Sequence, residues 1–262
     1  MRLASTLLAA ISLMTTASVV QAQEKVLNLY SARHYQTDEL LYSNFTKQTG
    51  IKINRIEADD NALFERLKNE GKNSPADVIV MVDAARIWRA EIEGFFQPVK
   101  SAVLSKRIPA NLHGKDDGQG PEWFGFSTRA RVIVYNKATV NPADVATYES
   151  LADPKNKGKV CTRSGSHPYN LSLIGSMIER DGEKATEQWA KGMVANFARP
   201  PRGGDTDQIK GVASGECGVA IANSYYYVRM LRSTKPEDIA AMKNVGFIWP
   251  NAKTSGTHFN IC

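Results

Sequence analysis

Strand-like and helix-like segments alternate through the first part of this chain, and that alternation limits the folds it can adopt. Short apolar runs typical of buried strands are separated by amphipathic stretches that stop at glycine, at Gly50 and Gly71. This order and spacing are typical of a parallel sheet with helices on both faces. The sequence predicts strands over 26–30, 51–56 and 76–82, and helices over 38–49, 61–70 and 84–93.

A polar, Gly- and Pro-rich stretch at 105–122 is the best candidate for a crossover or linker. A long, β-rich segment at 123–135 follows it, and a second α/β series comes after that segment. We expect further strands over 159–161, 217–222, 244–249 and 256–261, and helices near 148, over 171–179 and 183–197, from 205, and through 230. The pattern predicts two α/β lobes joined by β crossover strands. The first lobe would comprise 23–122, the second 123–243, and 244–262 would return to the first.

Residues 1–22 have the features of a cleaved secretory signal. Met1-Arg2 is followed by a mostly apolar stretch without charge, which ends in the small residues of Val20-Gln21-Ala22. The mature chain would then be exported, and we expect it in the periplasm. The full sequence has 42% hydrophobic and 23% charged residues and a net charge of +6 spread along its length. It lacks the basic clusters of nucleic-acid-binding proteins. It also contains no nucleophile elbow or zinc-protease motif, so we do not expect an enzyme.

Tyrosines follow three of the predicted strands. Tyr35 comes after the first strand, Tyr169 lies eight residues after Cys161, and Tyr225 lies eight residues after Cys217. Ligands of open parallel sheets bind beyond the carboxyl ends of strands. If the two cysteines form a disulfide between neighbouring strands, these equal offsets carry the second and third tyrosines to the same rim. The third cysteine, Cys262, would remain unpaired.

Phenolate oxygen is a hard, anionic donor that suits a small trivalent ion. A bound cation displaces the phenol proton, so the ordinary tyrosine pKa near 10 is no obstacle. Arg129, Arg131 and Arg229 are available to offset excess negative charge, and His34 offers an imidazole nitrogen. In the run of three tyrosines that starts at Tyr225, we expect Tyr227 to face the core.

Four segments together make the chain resemble the ferric iron-binding periplasmic proteins of ABC importers, of the FutA/FbpA type. They are Asn28-Leu-Tyr-Ser-Ala-Arg-His-Tyr35, Pro75-Ala-Asp-Val-Ile-Val, Cys161-Thr-Arg-Ser-Gly-Ser-His-Pro-Tyr169 and Gly215-Glu-Cys-Gly-Val-Ala-Ile-Ala-Asn-Ser-Tyr-Tyr226. The resemblance implies a bilobal type II periplasmic-binding fold that holds Fe(III) between its lobes, acts as a monomer and delivers the ion to an inner-membrane permease. It implies Tyr35, Tyr169, Tyr225 and Tyr226 as ligands, His34 as an optional ligand, and Arg129 and Arg229 as basic residues around them. A synergistic anion or water would complete the shell, with Ser31, Arg33 and the region of Ser166 as candidates to hold an anion.

Two further expectations follow. A receptor of the same fold for an organic or oxyanion solute is the alternative function, in which the tyrosines stack or hydrogen-bond. Chains of the resembled family also continue beyond the segment that ends this sequence. We therefore expect this form to have uncovered apolar faces and impaired folding or weak binding.

Overall fold

The first sheet is parallel and has the strand order β2-β1-β3. A computed structural model describes residues 25–33 and 35–261, with only the backbone of Gln36. The predicted signal sequence, His34 and Cys262 lie outside the described residues. The strands are β1 (Val26–Ser31), β2 (Lys52–Glu57) and β3 (Val78–Val80), and the helices are α1 (Gln36–Thr49), α2 (Asp60–Glu70), α3 (Ala84–Ile92) and α4 (Ala102–Arg107). The predicted order of elements in this half is therefore confirmed, with α4 as an addition.

Local sequence explains where two of these helices begin and end. Asp59 caps α2 by accepting hydrogen bonds from the backbone N–H groups of Asn61 and Ala62. Helix α1 stops at Gly50, whose φ of 71° is a left-handed conformation that glycine adopts at little cost. These signals are local, so they could be read without knowledge of the fold.

The second sheet is mixed, with the order β5-β6-β4-β7 and β8 paired to the beginning of β4. Its parallel pair is β5 with β6, whereas β4 runs antiparallel to its neighbours. The strands are β4 (Thr128–Asn136), β5 (Val160–Cys161), β6 (Val219–Asn223), β7 (Val245–Ile248) and β8 (Phe259–Ile261). The helices are α5 (Pro168–Asp181), α6 (Glu183–Ala195), α7 (Asp205–Ser214), α8 (Ser224–Leu231) and α9 (Pro236–Lys243).

Two antiparallel strands connect the halves. The first residues of β4 pair with β8, and the carbonyl of Ile261 at the end of β8 accepts a hydrogen bond from the backbone N–H of Asp83, just beyond β3. Separate groups of buried apolar residues fill the two halves. The predicted architecture of two α/β lobes with β crossover strands is confirmed.

The predicted return to the first lobe at residue 244 is wrong in its position. Val245–Ile248 pairs with β4 and so belongs to the second sheet. Only Asn244 separates it from α9, which packs beside α7 and α8, so the chain has no length in which to cross to the other sheet. Within residues 244–261, it is β8 that lies at the junction of the two halves.

Two smaller differences concern helices. The helix predicted near residue 148 is a short 3₁₀ turn at Glu149–Ala152, and α9 was not predicted. Among the described residues, no helix is both long and apolar enough to span a bilayer.

Candidate metal centre

Three tyrosine hydroxyls from separate parts of the chain meet between the two sheets. The Tyr225 oxygen lies 3.2 Å from that of Tyr35 and 3.3 Å from that of Tyr169. Tyr35 comes from the first half of the chain, whereas Tyr169 and Tyr225 belong to the second. The contact therefore closes the cleft between the lobes.

Each of these tyrosines stands where a strand gives way to a helix. Tyr35 precedes α1 after β1, Tyr169 lies in the first turn of α5 after β5, and Tyr225 lies in the first turn of α8 after β6. Cys161 and Cys217 form a disulfide, as expected. Since β5 and β6 are also neighbouring parallel strands, the expected common rim is observed.

The other two tyrosines of the run differ in their surroundings. The ring of Tyr226 lies 4.3 Å from that of Tyr225, centroid to centroid, so it borders the same cluster. Tyr227 instead packs against Phe247 at 5.0 Å, as expected for the member that faces the core.

Tyr169 also packs against the opposite lobe. Its ring lies against the buried group of the first lobe that contains Tyr30, Ala32 and Val82. A side chain of the second lobe thus contacts buried residues of the first lobe, and this contact partly shields Tyr169 from water.

Burial controls the protonation of this cluster. It raises the pKa of both Tyr169 and Tyr225 well above the ordinary value. Contacts with Tyr169 and Tyr226 raise the pKa of Tyr225 further, whereas the hydrogen bond with Tyr225 partly opposes the rise at Tyr169. Both groups are therefore neutral phenols near pH 7 when no cation is bound. Beside them, burial lowers the pKa of His167 to about 4. The neutral imidazole caps α5 by accepting a hydrogen bond from the backbone N–H of Tyr169.

Three guanidinium groups surround the ring of Tyr169. Their central carbons lie 4.7, 5.8 and 5.0 Å from its centroid, for Arg129, Arg131 and Arg163 respectively. Arg129 pairs with Asp83 at 3.1 Å. The other two share Asp205, at 2.8 and 3.2 Å. Arg131 and Arg163 thus share a single carboxylate.

The remaining basic candidates border the cluster in other ways. Arg33 binds both carboxylate oxygens of Asp38, at 2.8 and 2.9 Å, and its guanidinium carbon lies 4.7 Å from the Tyr35 ring centroid. It therefore positions the loop before α1 as well as contributing charge. Arg229 donates to Thr206 and lies 4.9 Å from the Tyr226 ring.

Phenol oxygens are the hard donors that this cleft offers. Within residues 25–33 and 35–261, no three His, Cys, Asp or Glu side chains are grouped so as to hold a metal ion. A metal in the described part of the cleft would depend on the tyrosines.

Sequence reasoning missed the polar residues that hold the tyrosine-bearing segments. Asp205, Asn170 and Asn223 are all buried and hydrogen-bond with Arg131. Their one sequence signal is position: each stands at the beginning of a helix. Asx residues at helix starts are usually caps, so nothing in the sequence marked these three as members of one network.

Residues 41–261 match the profile of the bacterial extracellular solute-binding proteins. The chain belongs to this family. The iron uptake protein A1 of Synechocystis sp. is 52% identical to this solute-binding protein over 239 residues, which make up 91% of this chain and 65% of that protein. The chain thus spans about two thirds of that relative's length.

Solved structures agree in fold. A Trichodesmium protein (IdiA, FutA) in complex with iron and citrate superposes with a TM-score of 0.83 at 54% identity, over 90% of this chain and 73% of that one. The ferric binding protein from Campylobacter jejuni gives a TM-score of 0.83 at 41% identity, over the same shares of the two chains. This solute-binding protein therefore has the predicted bilobal type II periplasmic-binding fold.

Proposed function

We propose that this protein captures Fe(III) in the cleft between its lobes through tyrosine phenolates, in the periplasm, and delivers the ion to an ABC-type permease as a monomer. The observation that carries the proposal is the meeting of three phenol oxygens from both lobes, with those of Tyr35 and Tyr169 within 3.3 Å of that of Tyr225. Trivalent iron prefers hard anionic oxygen, and buried neutral phenols supply it once the ion displaces their protons.

Charge balance favours a trivalent ion with four phenolates. Tyr35, Tyr169, Tyr225 and Tyr226 would contribute four negative charges against the three positive charges of the ion. Arg131 and Arg163, which share the single carboxylate of Asp205 beside Tyr169, offset the remaining negative charge. A divalent ion with the same ligands would leave a further negative charge uncompensated in a cleft of low dielectric constant.

Closure of the cleft supplies the means of capture and release. Tyr35 approaches Tyr225 only when the lobes are together, so an ion bound by both stabilises the closed state. Opening at the crossover strands would separate the ligands and free the ion for a permease. His34 remains a proposed additional ligand, Arg129 and Arg229 remain proposed charge partners, and an anion or water would fill any vacant coordination position.

The relatives support iron as the cargo. The matching Synechocystis protein is named for iron uptake, the Trichodesmium structure contains iron and citrate, and the Campylobacter protein is named for ferric binding. We propose iron as the cargo of this chain as well, because the chain has a cluster of phenol groups in a closed cleft.

Visible absorption tests the proposal. Purified protein mixed with ferric citrate should gain the charge-transfer colour of ferric tyrosinate. Tyr225→Phe and Tyr226→Phe should each weaken and shift the band, because each removes one donor oxygen. Tyr227→Phe is the matched control, since Tyr227 packs against Phe247 away from the cluster.

Other outcomes would point elsewhere. A wild-type protein that stays colourless and retains no iron would refute ferric capture and favour an organic or oxyanion solute. An equal loss of colour in the Tyr227 variant would refute the assignment of ligands. Turnover of an ester or peptide substrate would instead support an enzymatic function.

A further inference from the structure

A buried carboxylate outside the tyrosine cluster joins the segments that carry its members. Asp205 is the first residue of α7 and is fully buried. It accepts hydrogen bonds from the Arg131 guanidinium at 2.8 Å, from Arg163 at 3.2 Å and from the backbone N–H of Asn223 at 2.7 Å. None of these partners is near Asp205 in sequence, so the contacts fix separate elements against one another.

One arm of this network reaches the segment of Tyr225 and Tyr226. Asn223 ends β6 and precedes α8, two residues before Tyr225. Asp205 accepts a hydrogen bond from the backbone N–H of Asn223. Arg131 donates to the side-chain oxygen of Asn223 at 3.1 Å. Because Arg131 is the residue opposite Asn223 in the β4–β6 pairing, the start of α8 is fixed to the central strand of the sheet.

The other arm reaches the segment of Tyr169. Arg131 also donates to the side-chain oxygen of Asn170 at 2.7 Å. The amide nitrogen of Asn170 in turn donates to the hydroxyl of Thr162 and to the carbonyls of Arg163 and Ser164. The first turn of α5 and the loop that leads into it are thus bound to the same guanidinium.

The geometry points to Asp205 as the positioning residue that sets the distance between the phenol oxygens of Tyr169 and Tyr225. Asp205 pairs with Arg131 and orients it, and Arg131 hydrogen-bonds with both Asn170 and Asn223. A phenol oxygen lies at the far end of a long side chain, so a small rotation at either helix start moves it appreciably. Metal sites depend on such outer partners, whose removal typically weakens metal affinity by about tenfold to hundredfold.

This inference rests on the proposed function, and the Asp205→Asn variant of the full chain tests it. The substitution keeps the size of the side chain but removes the charge that holds both guanidiniums. We expect ferric iron to pass to excess EDTA about ten to a hundred times faster than from wild type. We also expect a displaced charge-transfer band at full occupancy, because the phenolate geometry changes. Asp181→Asn is the control: it removes an exposed ion pair with Arg180 at the other end of α5 and should change neither quantity.

The band position separates positioning from general stabilisation. If Asp205→Asn lowers the urea midpoint but keeps the wild-type band and release rate, Asp205 is only structural and the inference is overturned. If that variant fails to fold, Asn170→Ala removes the hydrogen bond between Arg131 and α5, together with those from Asn170 to the loop before α5, and leaves Asp205 in place. An unchanged band and release rate in Asn170→Ala would then overturn the inference.

Failure of the proposed function gives a different result. A wild-type protein that never becomes coloured refutes ferric capture itself. In that case the near-ultraviolet circular dichroism of the tyrosines, measured without iron, still reports their packing. A spectrum unchanged in Asp205→Asn would refute the positioning role as well.

Discussion

Removing the Cys161–Cys217 disulfide tests whether this bond stabilises the lobe that carries three of the four proposed ligands. The bond joins β5 to the segment just before β6, and the tyrosine-bearing helices α5 and α8 follow those two strands. Refolding the wild-type chain in a reductant removes only the covalent link and keeps both sulfur atoms. The double variant Cys161→Ala/Cys217→Ala removes the sulfur atoms as well.

The size of the effect follows from the loop that the disulfide closes. The two cysteines are 56 residues apart in sequence. Closing a loop of that length lowers the entropy of the unfolded chain by about 14 cal/mol/K. Loss of the disulfide therefore lowers the free energy of unfolding by about 4 kcal/mol at 25 °C. The double alanine variant should lose more, because both cysteines are fully buried and the emptied space leaves a cavity. A Cβ built on Gly211 would lie 2.9 Å from the Cys217 sulfur, which shows how tightly α7 packs there.

Urea denaturation followed by far-ultraviolet circular dichroism measures the effect. With an m-value of about 3 kcal/mol/M, a loss of about 4 kcal/mol lowers the midpoint by about 1.4 M. Cys262→Ala in every sample prevents exchange with the third thiol. A fall of less than about 0.3 M in the reduced wild type would contradict the reasoning. Iron uptake under native conditions should persist, because the backbone pairing of β5 with β6 remains.

Two further predictions concern buried charge and pH. Asp83→Asn should lower the free energy of unfolding by about 3–5 kcal/mol, because it breaks the buried ion pair between Asp83 and Arg129; a loss below about 1 kcal/mol in urea denaturation would contradict this. Burial, reinforced by Arg131 and Arg129, lowers the pKa of His258 to about 4, against about 6.5 in the unfolded chain. The unfolded state therefore binds more protons between these values, and stability should fall as the pH drops from about 6.5 towards 4. His258→Asn should reduce that slope in urea midpoints measured between pH 7.5 and 5, and an unaltered slope would show that other groups cause it.

Local signals accounted for most elements of the fold. The apolar strand runs, the glycine stop at Gly50 and the polar start of α2 depend on neighbouring residues, so a sequence pattern reveals them. The short helices α4 and α9 were not predicted, because six to eight residues give a weak periodic signal. The sheet to which β7 belongs was mispredicted, because strand pairing depends on residues that are distant in sequence. A local pattern carries no information about such pairing.

For the candidate site too, some features follow from the sequence and others depend on the tertiary structure. The sequence by itself determined that tyrosines follow the strands of an α/β chain, since the order of residues fixes which side chain stands at each strand end. Only the tertiary structure decided that Tyr35, Tyr169 and Tyr225 meet at their oxygens, because that distance depends on how two sheets close on one another. The buried partnership of Asp205 with Arg131 was likewise invisible in sequence. It joins residues 74 positions apart, and such a contact exists only once the chain has brought them together.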